Sequence, residues 1–180
     1  CTTSLVAYSI IFRSLFANNG LVNYVLVNIG ILDKPYNFLT QPFAAKMVIL
    51  LGLLWRWTGY NMVFFLSGLQ NIEYSVYEAA KIDGASAIQT FFKITVPLLK
   101  PTILLTAIMS TNGTLQLFDE SVNLTDGGPA NASISMSHYI YNLCFKYVPN
   151  FGYAAAMSFF ILLLVAVLAF IQMRVGDKRD

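Results

Sequence analysis

Few side chains of this 180-residue chain could do covalent or metal chemistry. It has a single histidine, and its two cysteines, Cys1 and Cys144, form no Cys-x-x-Cys pair that could hold a metal ion with that histidine. The sequence contains no Gly-Lys dipeptide, and therefore no phosphate-binding loop of the Gly-x-x-x-x-Gly-Lys-Ser/Thr type. We expect no catalytic residue, no metal site and no cofactor.

Aromatic and polar side chains inside apolar stretches offer binding chemistry instead. Trp57 and Tyr60 lie three residues apart, and Ser110 and Thr114 lie four apart, so each pair shares one helix face. Arg56 is the only charge well inside an apolar window, where charges are costly and usually face water or a bundle interior. Stacking faces and hydroxyls together suit a sugar in a substrate pathway. The alternatives are that Arg56 extends to an interface and that the hydroxyls only pack helices.

The stretches that carry these residues have the composition of membrane spans. Hydrophobic residues make up 57% of the chain and charged residues 11%, against about 25% charged in soluble domains. Apolar windows cover residues 47–66, 102–118 and 152–173, and a shorter one covers 4–16. This pattern excludes a soluble enzyme. It predicts an all-α, polytopic membrane helix bundle, one domain over 1–180, of about four transmembrane segments with the first truncated and more helices before residue 1.

The basic residues predict the orientation of these spans. Residues 70–100 and the tail after Met173 hold six Lys and Arg, whereas the other two connections hold three. The richer set is expected on the cytoplasmic side by the positive-inside rule. Its members are Lys81, Lys93, Lys100, Arg174, Lys178 and Arg179. Residues 71–97 and the C-terminus are then cytoplasmic, and residues 17–43 and 119–151 lie outside.

The inner segment 71–97 is predicted to form two short helices joined by a bend. Asn71 is placed to cap the first helix, and Gly84 offers its C-terminal stop. Ser86 precedes Gln89 by three residues, which is the spacing of a capping box at the start of the second helix. Pro97 is expected to end that helix. The segment is too short and too charged to cross the bilayer.

An apolar stripe on the second helix has two interpretations. Ile88, Phe91, Phe92 and Thr95 follow a helical spacing and form one mostly apolar face. Such a helix either lies along the lipid headgroups or docks on a protein. Phe91 and Phe92 are accordingly either docking knobs or residues that pack beneath their own spans.

The order of residues in this segment resembles a known motif. Glu78-Ala79-Ala80 is followed by three residues and Gly84, then by nine residues and Ile94-Thr95-Val96-Pro97. This pattern resembles the EAA loop of ABC-transporter permeases of the carbohydrate-importer type. Four further segments are similar to that family: Gly59-Tyr60-Asn61-Met62, Leu124–Ala130, Phe151–Ala156 and Asn19–Asn23. Glu73 departs from it, since many members have proline there.

The resemblance implies a subunit that transports but does not hydrolyse ATP. Such a permease forms a translocation pathway with a second permease and couples to cytoplasmic ATP-binding subunits by alternating access. An extracytoplasmic solute-binding protein delivers the substrate, expected to be a sugar or oligosaccharide. The location implied is the bacterial inner (plasma) membrane.

Coupling residues follow from the resemblance and from side-chain chemistry. Glu78 is expected to contact the ATPase through its charge, although a merely solvated helix charge is the alternative. Ala79 and Ala80 permit a partner surface to approach closely. Gly84 supplies the bend, because glycine enters positive φ freely. Asp83 either caps the bend or neutralises a nearby lysine.

Two other function classes are open at this point. A secondary transporter or channel would need ion-coupling acids within the spans, but Asp119 and Glu120 lie only at the outer edge of one. A membrane enzyme of the phosphatidyltransferase type is suggested by Asp83-Gly84, which resembles the start of its metal motif. The Ala-Arg pair and the two later aspartates of that motif are absent.

Overall fold

The computed structural model describes residues 4–176, and over that range it contains helices and no strand. The α-helices are α1 (Leu5–Leu15), α2 (Leu21–Asn28), α3 (Pro42–Gln70), α4 (Tyr74–Ile82), α5 (Ala87–Thr90), α6 (Val96–Leu98), α7 (Lys100–Leu115), α8 (Asp119–Thr125), α9 (Met136–Tyr141) and α10 (Phe151–Gly176). Two π-helical turns, Phe91–Thr95 and Asn142–Lys146, follow α5 and α9. The expectations for Cys1, Lys178 and Arg179 lie outside the described residues.

Two of these helices are long and apolar enough to cross a membrane, namely α3 with 29 residues and α10 with 26. A third span is possible if Ala87–Leu98 and α7 are taken together, with a bend of 65° between them. The shorter apolar helix α1 lies within the apolar window 4–16. The predicted all-α membrane fold is therefore confirmed.

The helix in the apolar window 102–118 ends before the window does. Helix α7 stops at Leu115, and a turn bond from the Leu117 N–H to the Thr114 carbonyl follows it. With 16 residues, α7 alone falls short of the about 20 that a span needs. The apolar window extends beyond the helix because the connection before α8 also contains apolar residues, Leu117 and Phe118.

The connecting segments 17–43 and 119–151 contain short helices. Helix α2 lies within residues 17–43, and α8 and α9 lie within 119–151. Each has at most eight residues, so sequence periodicity is too brief to indicate them. Their stability comes from tertiary packing, as is usual for isolated turns of helix.

The chain forms two compact units. Unit one contains the described residues up to Arg56 together with Thr114–Leu163, and unit two contains Trp57–Gly113 with residues 164–176. In unit one α1 packs on α8, where Tyr8 and Leu124 are fully buried. A Cβ added at Gly52 would lie 3.5 Å from Tyr8 and 3.8 Å from Leu124, so glycine lets α3 join this core closely.

The Glu120 carboxylate is the polar centre of unit one. Its Oε1 accepts a hydrogen bond from the Tyr8 hydroxyl at 2.6 Å and one from Arg56 Nη1 at 2.5 Å. Glu120 is 1% exposed, whereas the Arg56 side chain is 26% exposed. One buried carboxylate thus joins α1, α3 and α8, and it is itself neutralised by the arginine.

Close contacts with glycine shape the packing of unit two. The Trp57 ring covers Gly113 so tightly that a Cβ there would overlap the ring. A Cβ at Gly68 would lie 2.8 Å from Thr102 Oγ1 and 2.9 Å from a Leu99 methyl. These glycines let α7 approach α3, as small residues do between membrane helices.

We expect Glu120→Ala to destabilise the protein far more than Tyr8→Phe does. The alanine variant removes the acceptor of two hydrogen bonds and leaves Arg56 without this carboxylate. Breaking a buried ion pair in this way lowers the free energy of unfolding by up to about 3–5 kcal/mol. We expect a smaller loss here, because Arg56 is partly exposed to solvent. Tyr8→Phe removes one hydrogen bond to a charged group, about 1–3 kcal/mol. Thermal unfolding of the detergent-solubilised protein measures both. Equal midpoints in the two variants would contradict the central role of Glu120.

Candidate coupling loop and substrate pathway

The first helix of the inner segment begins later than predicted. Helix α4 starts at Tyr74 with Glu73 as its N-cap residue, so the prediction that Asn71 caps it is wrong. The reason is that α3 continues to Gln70, and Asn71 is used in the turn that follows, where its N–H bonds the Gly68 carbonyl. The Glu73 side chain accepts no backbone N–H of the helix, and its Oε2 accepts a hydrogen bond from the Ser75 hydroxyl at 3.3 Å instead.

The bend and the second helix start are as predicted. Gly84 has φ +74°, and open space surrounds the position that a Cβ would take. Ser86 Oγ accepts the Gln89 N–H at 3.3 Å, and the Gln89 side chain accepts the Ser86 N–H at 2.8 Å. This reciprocal capping box fixes the start of α5 at Ala87, three residues after the glycine.

Pro97 does not end the second helix, contrary to the prediction. The chain passes from α5 through the π-helical turn Phe91–Thr95 into α6, and Pro97 lies in the first positions of α6. A proline is tolerated there because the first N–H groups of a helical segment need no partner within it. The direction of the chain changes after Leu98, at the bend before α7.

The coupling residues named from the motif are mostly exposed. Glu78, Ala79, Asp83 and Gly84 are exposed, whereas Ala80 is 5% exposed and faces inward. The alanine pair is therefore divided, with Ala79 available to a partner and Ala80 part of the packing of unit two.

Large apolar side chains of this segment also face outward. Phe91 is 51% and Phe92 66% exposed, and their rings touch edge to face with centroids 5.0 Å apart. Ile82 and Ile88 are exposed still more. At least half of each phenylalanine is accessible to a partner, which favours the docking interpretation over the packing one.

The candidate pathway residues of unit two lie on α3 and α7. The rings of Trp57 and Tyr60 meet edge to face with centroids 5.4 Å apart. Ser110 Oγ lies 3.2 Å from Asn61 Nδ2. Sequence reasoning missed Asn61 as a site residue, although it follows Tyr60 directly and its amide could have been counted among the polar groups of the span.

The other two candidate pathway residues belong to unit one. Arg56 is engaged by Glu120, a partner that sequence reasoning placed at the outer edge of a span but did not pair with it. Thr114 is exposed, one helical turn after Ser110 on α7. Arg56, the charge inside the apolar window, is thus ion-paired with Glu120.

The one histidine, His138, is fully buried within residues 119–151 of unit one. Ser121 Oγ donates to the Ser133 carbonyl at 2.8 Å and accepts the Ser135 N–H at 3.2 Å, so its remaining lone pair accepts from His138 Nδ1 at 2.8 Å. The other ring nitrogen, Nε2, is buried and has no hydrogen-bond partner among the described residues. It lies 3.8 Å from Asp126 Oδ1.

The charges near this histidine set its protonation. Burial lowers the pKa of His138 below its usual 6.5, and the Lys146 charge lowers it further, while Asp126 opposes both. The hydrogen bond from Lys146 Nζ, 2.8 Å long, lowers the pKa of the exposed Asp126 carboxyl. The neutral imidazole is therefore the form that fits the fold. Within residues 4–176, no three His, Cys, Asp or Glu side chains lie together so as to hold a metal ion.

Comparison with known proteins identifies the family. Residues 3–179 match the family model of the binding-protein-dependent transport system inner membrane component, and the chain belongs to this family. It is 54% identical to the lactose transport system permease protein LacF of Rhizobium radiobacter, over 99% of this chain and 61% of the relative. It is 33% identical to the arabinooligosaccharides transport system permease protein AraP of Bacillus subtilis (strain 168), over 98% of this chain and 56% of that protein.

Solved structures agree on the fold. A chain of a bacterial ABC transporter for import of the acidic polysaccharide alginate matches with a TM-score of 0.85 at 24% identity, covering 97% of this chain and 61% of that chain. A chain of the alginate ABC transporter in complex with an alginate pentasaccharide-bound periplasmic protein matches with a TM-score of 0.76 at 25% identity, over 98% and 59%. The chain thus spans about three-fifths of the length of the proteins it matches.

Acidification should loosen residues 119–146 through His138. The folded state holds the imidazole neutral while the unfolded state protonates near pH 6.5, so stability is complete above that pH and falls as the pH drops toward the lowered folded pKa. The Asp126–Lys146 pair contributes in a different window, near and below the usual Asp pKa of 3.8.

Hydrogen exchange of residues 119–146, read by mass spectrometry at pH 7.5 and 5.5 and corrected for intrinsic rates, measures this effect. Protection should fall by at most about tenfold per pH unit. The variant His138→Gln should remove the pH dependence whatever its effect on absolute protection. A dependence that persists in this variant would rule out His138 as its source.

Proposed function

We propose that this chain is part of the permease subunit of an ATP-driven importer for sugars or oligosaccharides. It would form the translocation pathway with a second permease, couple to cytoplasmic ATP-binding subunits, and receive substrate from an extracytoplasmic solute-binding protein. The observation that carries the proposal is the segment 71–97, a helix, a left-handed glycine bend and a capped second helix that expose a charged and apolar surface. Family membership and the transport names of the relatives support it.

The proposed orientation puts residues 71–97 in the cytoplasm, where the ATPase subunits would be. Three lysines lie in or beside this segment, at positions 81, 93 and 100. They support the orientation through the positive-inside rule. The hydrolytic step would take place on the partner ATPase, because this sequence lacks a phosphate-binding loop.

Coupling is proposed to depend on two kinds of contact from one rigid element. Glu78 offers an exposed charge on α4, and Phe91 and Phe92 offer exposed apolar area after the bend. The capping box and the positive φ of Gly84 hold the two parts at a fixed angle. Movement of an ATPase groove would then be transmitted through α6 to the bend that begins α7.

A neutral saccharide is the proposed substrate class. The relatives are named for lactose and for arabinooligosaccharides. In unit two Trp57 and Tyr60 supply aromatic faces. Asn61, next to Tyr60 on α3, and its hydrogen-bond partner Ser110 on α7 supply polar groups. Arg56 on α3 and Thr114 on α7 are also proposed to line the substrate pathway.

The coupling proposal predicts that Glu78→Lys and Gly84→Val abolish ATP-dependent uptake. The first reverses the charge at the proposed ATPase contact. The second puts a β-branched residue at φ +74°, where such side chains are strained. Uptake into cells or proteoliposomes and retention of the ATPase during purification of the assembled transporter measure the loss.

The matched control is Glu73→Lys, which reverses an exposed charge at the start of the same helix but outside the motif. It should keep both uptake and ATPase retention. Normal uptake with normal ATPase retention in Glu78→Lys and Gly84→Val would reject the docking assignment. All variants are compared at equal amounts of inserted protein.

The pathway proposal predicts changed saccharide preference in Ser110→Ala, Trp57→Ala and Tyr60→Ala. Loss of one hydrogen bond should weaken apparent uptake affinity several-fold, since such a bond is worth about 1 kcal/mol, and loss of an aromatic face should cost at least as much. Competition by a panel of saccharides, at matched transporter levels, measures the preference.

The control for this series is Thr106→Val on the same helix. The Thr106 hydroxyl is buried and bonds only the carbonyls of Thr102 and Ile103, so its loss should affect stability but leave preference unchanged. If all three pathway variants behave like this control, the substrate contacts lie elsewhere.

A further inference from the structure

An open cleft of about 220 Å³ lies beside α2 in unit one, within the segment that the proposed orientation puts outside. Its lining consists mainly of four asparagines and one tyrosine. They are Asn18, Asn19, Asn23, Asn28 and Tyr24. Neither the fold nor the coupling and pathway proposals use this cleft.

The backbone around the cleft is held in place by hydrogen bonds and close packing. Asn23 is 1% exposed, and its amide donates to the carbonyls of Ala17 and Tyr36 at 3.0 and 2.9 Å while accepting the Tyr36 N–H at 2.8 Å. A Cβ at Gly20 would overlap the Leu15 carbonyl, so the turn before α2 is packed directly on α1. Both ends of the segment are therefore fixed before any ligand arrives.

Three asparagine side chains at the surface of the cleft have amide groups that could bind a ligand. Asn18, Asn19 and Asn28 are exposed, and none of their side chains makes a hydrogen bond within the described part of the chain. Each primary amide presents donors and an acceptor side by side, which is the arrangement that adjacent hydroxyl groups can satisfy. Tyr24 is 68% exposed and presents a ring.

The charge of the cleft restricts the ligand class. No lysine, arginine, aspartate or glutamate is among the lining residues. Phosphorylated and acidic ligands would therefore find no counter-charge, whereas an uncharged polyhydroxyl compound would find amides and an aromatic face. The volume lies below the about 300–1,000 Å³ typical of pockets that enclose a whole ligand, so only one ring would be held, and weakly.

We propose that this cleft is an outer subsite that binds one ring of a neutral saccharide through Tyr24 and the three exposed asparagines. It rests on the proposed function for the identity of its ligand. Weak binding at this place would raise the local concentration of saccharide at the outer surface, separately from delivery by a solute-binding protein. Asn23 acts as a positioning residue, because its amide is already hydrogen-bonded to the backbone of Ala17 and Tyr36.

The test uses the assembled transporter in nanodiscs, without solute-binding protein and without ATP, and lactose as the probe. Saturation-transfer difference NMR reports weak binding directly. Tyr24→Ala, and the double variant Asn19→Ala with Asn28→Ala, should each weaken lactose binding by about fivefold or more, as expected for losing one or two good contacts. Adding glucuronate should not displace lactose from this subsite.

Matched controls are Asn37→Ala, an exposed asparagine of the same segment, and Tyr147→Ala, an exposed tyrosine of the second outer segment. Both should bind lactose as the unaltered transporter does. Unchanged lactose affinity in Tyr24→Ala, or an equal loss in the controls, would overturn the proposal. So would a Tyr24→Ala variant that loses only affinity for the solute-binding protein, since the surface would then be a protein contact.

Uptake measurements separate this proposal from the proposed function. If the unaltered transporter imports no saccharide but still binds lactose in a Tyr24-dependent way, the function is wrong and the subsite stands. If it imports saccharides and Tyr24→Ala binds lactose normally, the function stands and the subsite is wrong.

Discussion

Inside hydrocarbon the backbone has no water to bond, so every N–H and C=O of a span must find its partner within a helix. This constraint explains where the chain is regular and where it is not. Helices α3 and α10 run for 29 and 26 residues without a break. Three left-handed glycines, Gly30, Gly84 and Gly127, and both π-helical turns all fall outside these two helices. The connecting segments are therefore where the chain has freedom to build sites.

The same scarcity of water governs the charged side chains. A carboxylate at 1% exposure would be prohibitive alone, yet Glu120 receives both a guanidinium and a phenol on one oxygen. Because its partners come from α1 and α3, the charge that had to be neutralised also joins three helices of unit one. Burial of His138 has an equivalent cost, which is met because the ring stays neutral and Nδ1 donates to the Ser121 hydroxyl.

How far the sequence could predict the structure depended on the range of the interaction. Gly84 and the Ser86–Gln89 capping box were predictable because each depends on residues within one helical turn. The cap at Asn71 and the stop at Pro97 were not, since the length of α3 and a π-helical turn, both set by packing, decided them. The Arg56–Glu120 pair joins residues 64 positions apart, and no local pattern indicates which acid an intramembrane arginine will meet.

The exposed face of the inner segment carries an energetic argument about its role. Burying a large apolar side chain is worth about 1.5–3 kcal/mol, and Ile82, Phe91 and Phe92 forgo most of it in this structure. A headgroup-lying helix would recover that energy in lipid, but it would not need a fixed angle to a second helix. The glycine bend and the capping box hold these two helices in a preformed geometry, which lowers the conformational entropy lost on docking. Rigidity combined with exposed apolar area is what docking in a partner groove would require, and under the proposed function it would let a movement of that groove reach the spans without being absorbed in the loop.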